Sequence, residues 1–241
     1  MLEKTEAFVL HILKYSDTKI VVDLFCRQHG RLTFMVPLPR SARSKLKKQY
    51  FQPLTLLYIE ADVRPQQQFH KLHEAALLTP LPSLLGTPSK LAISLFIGEF
   101  LYYALKNEQQ NEPLFDYIRN SIEWLNQCEA NYVNFHIVFL MHLSRFLGFY
   151  PNLDEYHKAC YFDLRAATFC QAPPIHRDFL MPEEADRIQL MMRMNYATMH
   201  LFHLSRTDRN RILDILILYY RLHLPQFPEL RSLPVLHELF Q

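Results

Sequence analysis

The apolar pattern of this chain changes its period once, and that change constrains the fold more than any other feature. From Glu6 to about Thr79 the apolar residues alternate or run in short blocks: Phe8, Leu10 and Ile12, then IVVDLF, RLTFMVPL, LTLLYIEAD and QQFHKLHEAALL. A period of two marks β-strands, so five short strands are predicted. Gln28-His29-Gly30 supplies the turn between the second and third, because Gly30 can take a positive φ. After the proline-rich TPLPSLLGTP, Thr79 to Pro88, the spacing becomes three and four. SKLAISLFIGEFLYYALKN, EPLFDYIRNSIEWLNQC, NYVNFHIVFLMHLSRFLG, EEADRIQLMMRMNYATM and RTDRNRILDILILYYRLHL then read as helices, with a last short one through LPVLHELF. Leu91, Leu95, Leu101 and Leu105 illustrate the stripe, and Ser205 with Asp208 fits a capping box.

Five strands followed by helices predict an α+β chain of two domains. Residues 1–80 form a small barrel of the oligonucleotide-binding (OB) or SH3-like type, and residues 81–241 form a helical bundle. An irregular insertion spans about 149–182, where Pro151, Pro173, Pro174 and Pro182 fall. A barrel without any ligand would show the same five strands.

Charge divides along the same line. Residues 1–80 hold seven Lys and five Arg against seven acids, a formal +5, which leaves the remainder at −3 within a total of +2. The four cysteines show no CxxC pair and no disulfide framework, which fits a reducing cytoplasm. MLEKTEAFVLHILKY carries Glu3 and Glu6 where a secretion signal would be basic. LAISLFIGEFLYYAL holds Glu99 and is shorter than the roughly 20 residues a membrane span needs. A cytoplasmic protein with no membrane partner is expected.

The densest charge lies in PRSARSKLKKQYFQP, Pro39 to Pro53. Arg40, Arg43, Lys45, Lys47 and Lys48 stand there with no acid among them. Basic residues that cannot neutralise one another locally suit a polyanion, and phosphate is the obvious candidate. Tyr50 and Phe51 offer faces on which unpaired bases could stack, although both equally fit the core of the next strand. Lys14, Lys19 and Arg31, near strand ends, extend the predicted groove.

Other chemistry is sparse. His157, Cys160, Cys170 and His176 hold zinc-type ligands, but their spacing matches no ordinary finger, so Cys160 and Cys170 are weak metal candidates and no cofactor is expected. His70 and His73 would point to opposite faces of a strand, and His200 with His203 could share a helical face. With four glycines there is no GxGxxG, Walker loop, GxSxG or HExxH. No catalytic residue is predicted.

In order and spacing the chain resembles the RecO recombination mediators of bacterial DNA repair, in the branch found in Bacteroides-like bacteria. The resemblance begins with EAFVLHILKYSDTKIVVDLFCRQHGRLTFMVP and continues through the basic stretch and QPLTLLYIE. It returns at FLGFYPNL, Phe146 to Leu153, and closes with YYRLHLPQFPELRSLPVLHELF. It implies an OB domain followed by a helical domain. It also implies binding of single- and double-stranded DNA, annealing of complementary strands, including strands coated by single-stranded-DNA-binding protein (SSB), and work with RecR to load RecA onto SSB-coated single strands, without hydrolysis. The family's helical domain receives the SSB C-terminal tail, for which Arg119, Arg145, Arg187 and Arg193 are the candidate contacts here. Many members carry a four-cysteine zinc module after the LGF segment. Here Glu155 to Ala159 replace its first CxxC, Cys160 is out of step, and Pro173 stands where the partner of Cys170 would be. The resemblance therefore implies a degenerate module held by Tyr161, Phe162, Leu164 and Phe169 in place of metal.

Two other readings compete. In one, barrel and bundle are both protein-interaction surfaces and DNA contact is incidental; in the other, His157, Cys160, Cys170 and His176 serve a metal-dependent hydrolase.

Overall fold

The computed structural model describes residues 2–38, 46–64 and 67–239. Arg40, Arg43 and Lys45 lie outside the described residues. The chain divides into two compact units, one built from the residues up to Gln127 together with Leu230–Leu239, the other from Cys128–Glu229.

The first unit opens with β1 (Leu2–Lys14), β2 (Lys19–Cys26), β3 (Gly30–Pro37), β4 (Leu56–Asp62) and β5 (His70–Leu77). They form a closed barrel in the order β1-β2-β3-β5-β4, with β4 pairing back onto β1. All neighbours are antiparallel except β3 and β5, which meet in parallel at Phe34 with His70 and Met35 with Lys71. This is the OB-type barrel that the alternating pattern predicts. Ala7, Val9, Val22, Leu24, Phe34, Val36, Leu57 and Ile59 point inward and are buried.

The outward side of β1 and β2 is also apolar, which a solvated barrel would not need. Phe8 and Phe25 are buried there because α3 (Glu112–Gln127) covers them: the Phe115 ring lies 5.1 Å from that of Phe8 and 6.0 Å from that of Phe25. Each phenylalanine so covered stabilises by about 1.5–3 kcal/mol. Around this contact Arg27 Nη1 pairs with Glu6 at 3.0 Å and Asp116 at 2.8 Å, and Arg119 Nη1 meets Glu6 at 3.1 Å. Between barrel and α3 run α1 (Pro82–Gly86) and α2 (Pro88–Ala104). Each begins with proline, whose missing N–H costs nothing in a first turn.

The second unit holds α4 (Phe135–Phe146), then β6 (Tyr161–Asp163), β7 (Thr168–Cys170) and β8 (Phe179–Leu180) as a small sheet ordered β7-β6-β8. Two helices follow, α5 (Pro182–Arg193) and α6 (Arg206–His223). Ser205 caps α6 as its spacing predicts, its hydroxyl accepting the Asp208 N–H at 3.1 Å. The fourth predicted helix, EEADRIQLMMRMNYATM, is shorter than its sequence pattern. The Asn195 side chain accepts the N–H groups of Ala197 and Thr198 at 2.9 and 3.0 Å, a local turn that competes with helix and ends α5 at Arg193. Past the second unit the chain closes with α7 (Leu233–Glu238), which belongs to the first unit. Glu99 on α2 fastens it, accepting the N–H of Arg231 at 2.9 Å and of Ser232 at 2.8 Å. Among the described residues no helix is long and apolar enough to cross a membrane.

Gly30 carries the tightest requirement in the barrel. Its φ is +69°, and a Cβ there would overlap the backbone of Glu108 and Gln109. Gly30→Ala is therefore expected to lower the unfolding free energy by about 2–3 kcal/mol, read from the urea midpoint at unchanged slope.

Candidate nucleic-acid interface

One mouth of the barrel is built by the start of β2, the end of β3 and the segment joining β4 to β5. A cavity of about 450 Å³ opens there, lined by Lys19, Met35, Arg64, Phe69 and Lys71 among others. The β3–β5 pairing creates this neighbourhood, since it sets Lys71 beside Met35, while the β2–β3 register sets Lys19 opposite Pro37. Lys19, Arg64 and Lys71 are exposed, and Phe69 keeps 37% of its surface accessible. Asp62 is the acid of the lining; its carboxylate accepts from Arg64 Nη2 at 2.8 Å and Nε at 3.1 Å, which orients that guanidinium. Three cations around an exposed ring, with one carboxylate already engaged, form a surface for phosphates and a base.

His70 fixes the floor. It is buried, its ring lies 5.7 Å from that of Phe34, and its Nδ1 accepts the Arg64 N–H at 3.3 Å. Burial lowers its pKa from 6.5, with the nearby His29 acting in the same direction and Asp62 opposing them. The neutral ring is thus the one that holds the joining segment in place.

The sequence-predicted residues separate into three groups. Lys19 lies in this mouth, and Lys14, facing Ile20 across the ladder, is nearby but pairs with Asp17 at 2.8 Å. Pro37 lines the mouth, and Leu38, whose N–H is held by Thr18 O at 2.8 Å, is the last described residue before the basic stretch. Lys47 and Lys48 resume beyond it, both exposed, with Lys47 Nζ 5.6 Å from the centre of the Tyr50 ring. Arg31 belongs elsewhere, at the opposite end of β3. It donates to Tyr102 O at 2.6 Å, lies 4.5 Å from the Tyr102 ring and sits 3.5 Å from buried Asp23, which makes it a clamp between barrel and α2. Phe51 is 2% exposed in the barrel core and presents no face to a base; Tyr50 is half-buried against the same core. Arg64, Phe69 and Lys71 were missed by sequence reasoning. The visible signal was the QQFHK run, in which an aromatic adjoins a strand start and a lysine.

Comparison with known proteins gives the lineage. The chain matches the family profile described as Recombination protein O N terminal over residues 1–81 and that described as Recombination protein O C terminal over residues 85–234. It is 51% identical over 240 residues to the DNA repair protein RecO of Phocaeicola vulgatus and 51% identical over 241 residues to that of Bacteroides fragilis. It is 36% identical over 240 residues to the protein of the same name from Azobacteroides pseudotrichonymphae, and all three alignments span 100% of both chains. The chain belongs to the RecO family. Its general role is therefore in recombinational DNA repair.

The β7-β6-β8 sheet lies in the segment where a degenerate zinc module is expected from the resemblance, and its side chains are not gathered as metal ligands. Among the described residues no group of three or more His, Cys, Asp or Glu is placed to hold one. Cys160 is buried, His157 is exposed with Nδ1 turned to Lys158 O at 3.0 Å, and His176 Nε2 is 3.2 Å from Asp163. The four ligands proposed for a hydrolase thus do not converge. Rings fill the place instead: Phe162 and Phe169 lie 4.8 Å apart edge to face, Tyr156 is 5.0 Å from Phe169, and Phe162 is 6.3 Å from Tyr219 of α6. His223 adds a bond from Nε2 to Leu164 O at 2.9 Å and stacks on Phe149 at 4.8 Å.

The four arginines suggested for the SSB tail are divided. Arg119 belongs to the first unit, where Glu6 and Glu123 occupy it. Arg145, Arg187 and Arg193 belong to the second. Arg145 lies 4.4 Å from the Tyr150 ring, Arg193 is exposed, and Arg187 pairs with Asp208 at 3.0 Å while its Nη1 is buried without a hydrogen-bond partner among the described residues.

Two outcomes follow from these geometries. Because the folded state holds His70 neutral, the unfolded chain binds more protons as pH drops below 6.5; the stabilisation is complete above that value and is lost as pH falls from it through the lower folded value. Urea midpoints taken from about pH 7.5 to about 5.5 should decline below 6.5, less steeply in His70→Asn. In the second unit Phe162→Ala should cost about 3–5 kcal/mol, whereas a zinc chelator should leave the melting temperature of the unaltered protein unchanged.

Proposed function

We propose that the barrel mouth, together with Arg40, Arg43, Lys45, Lys47 and Lys48 of the basic stretch, binds single- and double-stranded DNA. The chain would then anneal complementary strands, including strands coated by SSB, and with RecR help load RecA onto them. The observation that carries this reading is the joining of Lys19, Arg64, Lys71 and exposed Phe69 at one mouth, next to the point where the chain enters its densest basic run. Barrels of this type take oligonucleotides across strands two and three and the loops at that mouth.

Annealing needs two polyanions brought together and held loosely. Cations on mobile stems lower the repulsion by displacing counterions, and one or two rings hold bases without reading them. Neither task requires a nucleophile or a metal, so the mediator works without catalysis. The second unit is the proposed seat of the SSB tail, with Arg145, Arg187 and Arg193 meeting its acids; the unpartnered Nη1 of Arg187 supports that assignment. The protein would act in the cytoplasm, at the nucleoid.

The test is fluorescence anisotropy of a labelled single-stranded oligonucleotide across a salt series. Three proteins are compared: the unaltered chain, Lys19→Glu with Lys71→Glu, and a variant with Arg40, Arg43, Lys45, Lys47 and Lys48 changed to Glu. Affinity should fall with log salt, drop at least about tenfold in each variant, and lose about 0.7 in slope for every phosphate contact removed. Salt-independent binding, or variants that bind as the unaltered chain does, would overturn the assignment and favour the protein-interaction adaptor.

A further inference from the structure

Two apolar features stand uncovered on this chain, one in each unit. The first is a cavity of about 500 Å³ between the 3-10 turn Lys48–Tyr50, the segment leading into β4, the end of β5, and helices α1 and α2. Leu54 and Leu84 form its buried floor, and Leu77, Leu85 and Leu95 stand on its rim at 42%, 60% and 50% exposure. Among the described residues none of the lining side chains is charged, and Tyr50 is the one aromatic. Such a lining offers nothing to a phosphate or a carboxylate, which would lose water there without a partner. It suits uncharged apolar groups, and its volume falls within the range of sites that enclose ligand groups.

The floor is held in place. Leu54 has φ 65°, a left-handed conformation unfavourable for a branched side chain, and two bonds to β1 secure it, from Leu54 N to Val9 O at 2.7 Å and from Val9 N to Thr55 O at 3.0 Å. On the other side Gly98 admits Pro53, whose Cβ lies 3.0 Å from where a side chain on Gly98 would begin.

The second feature is the loop between β7 and β8, where Ile175 is fully exposed. A single exposed apolar residue needs no explanation, but this one is built outward. Before it, Pro173 and Pro174 restrict the backbone to extended conformations. After it, His176 Nε2 lies 3.2 Å from Asp163, Asp178 O accepts the Leu164 N–H at 3.1 Å, and the Asp178 carboxylate accepts from Arg165 Nε at 2.7 Å. A tip fixed from both sides has little freedom left to lose on docking. Residues 172–175, Ala-Pro-Pro-Ile, carry no charge, as the groove carries none, and prolines pack well against a ring such as that of Tyr50. Because Ile175 is fully exposed, the groove of its own copy does not hold it.

We propose that the Pro173-Pro174-Ile175 tip of one copy docks in the leucine groove of a second copy. Ile175 enters between Leu85 and Leu95, and the prolines lie against Tyr50. The contact joins unlike surfaces, so each copy presents one tip and one groove. It needs no DNA and is separate from the barrel mouth.

The experiment is sedimentation equilibrium without DNA, from about 1 µM to about 1 mM protein, the upper end reaching weak affinities. The proteins are the unaltered chain, Ile175→Asp, Leu85→Asp/Leu95→Asp, and an equimolar mixture of the two variants. All three substitutions are at exposed positions, and circular dichroism checks that each variant folds. The average mass of the unaltered chain should rise with concentration, and the association constant should fall at least about tenfold in each variant alone. The mixture should regain association as a one-to-one dimer, since one variant keeps its groove and the other its tip; this also shows that each retains a folded docking surface. Salt raised from about 0.1 M to about 1 M should not weaken the contact, because no charge takes part, whereas DNA binding would weaken. The proposal is overturned if the unaltered chain stays monomeric, if either variant associates as the unaltered chain does, if the mixture stays monomeric, or if salt dissolves the assembly.

Discussion

The pairing of β3 with β5 is short, joining Phe34 to His70 and Met35 to Lys71, yet the barrel depends on it. Without it the sheet would have two free edges, which attract other chains. With it, β2, β3 and β5 converge at one mouth, and residues far apart in sequence, Lys19 and Lys71, line one cavity. The inward ring of Phe34 and the buried ring of His70 meet at the same closure. Barrel stability and the shape of the candidate DNA surface are thus set by the same few atoms.

The outer face of the barrel explains a second dependence. Phe8 and Phe25 would be exposed on an isolated barrel, and Phe115 covers them from α3. The ion pairs around this contact are partly exposed, so each adds little alone, but Arg27 and Arg119 share Glu6 and fix the angle at which α3 lies. Arg31 does the same for α2 through Tyr102. Two arginines in the most basic part of the sequence are therefore used to mount helices.

That use shows where sequence reading succeeds and where it stops. The strands, the Gly30 turn and the Ser205 cap were legible because each is a local rule with a fixed spacing. The OB barrel was legible because five such strands have few ways to close. Arg31 looked like a free cation because nothing within the sequence around it reveals Tyr102, some seventy positions on; a contact of that separation exists only after closure. Arg64, Phe69 and Lys71 were passed over for the same reason, being brought to Lys19 by the register of β5. Leu95 fitted an apolar stripe with Leu91, Leu101 and Leu105, yet Leu101 and Leu105 are buried while Leu95 is half exposed at a groove. Periodicity identifies the apolar face of a helix but not whether something covers all of it.

The bond from Glu99 to the backbone of Arg231 and Ser232 places the last helix in the first unit. In chain order, then, the second unit is inserted within the first. During synthesis the barrel and its first helices leave the ribosome early, but Glu99 waits for its partners until the entire second unit has been made. The chain thus matures from the middle outward at its end: the inserted unit is completed before the unit that encloses it in sequence.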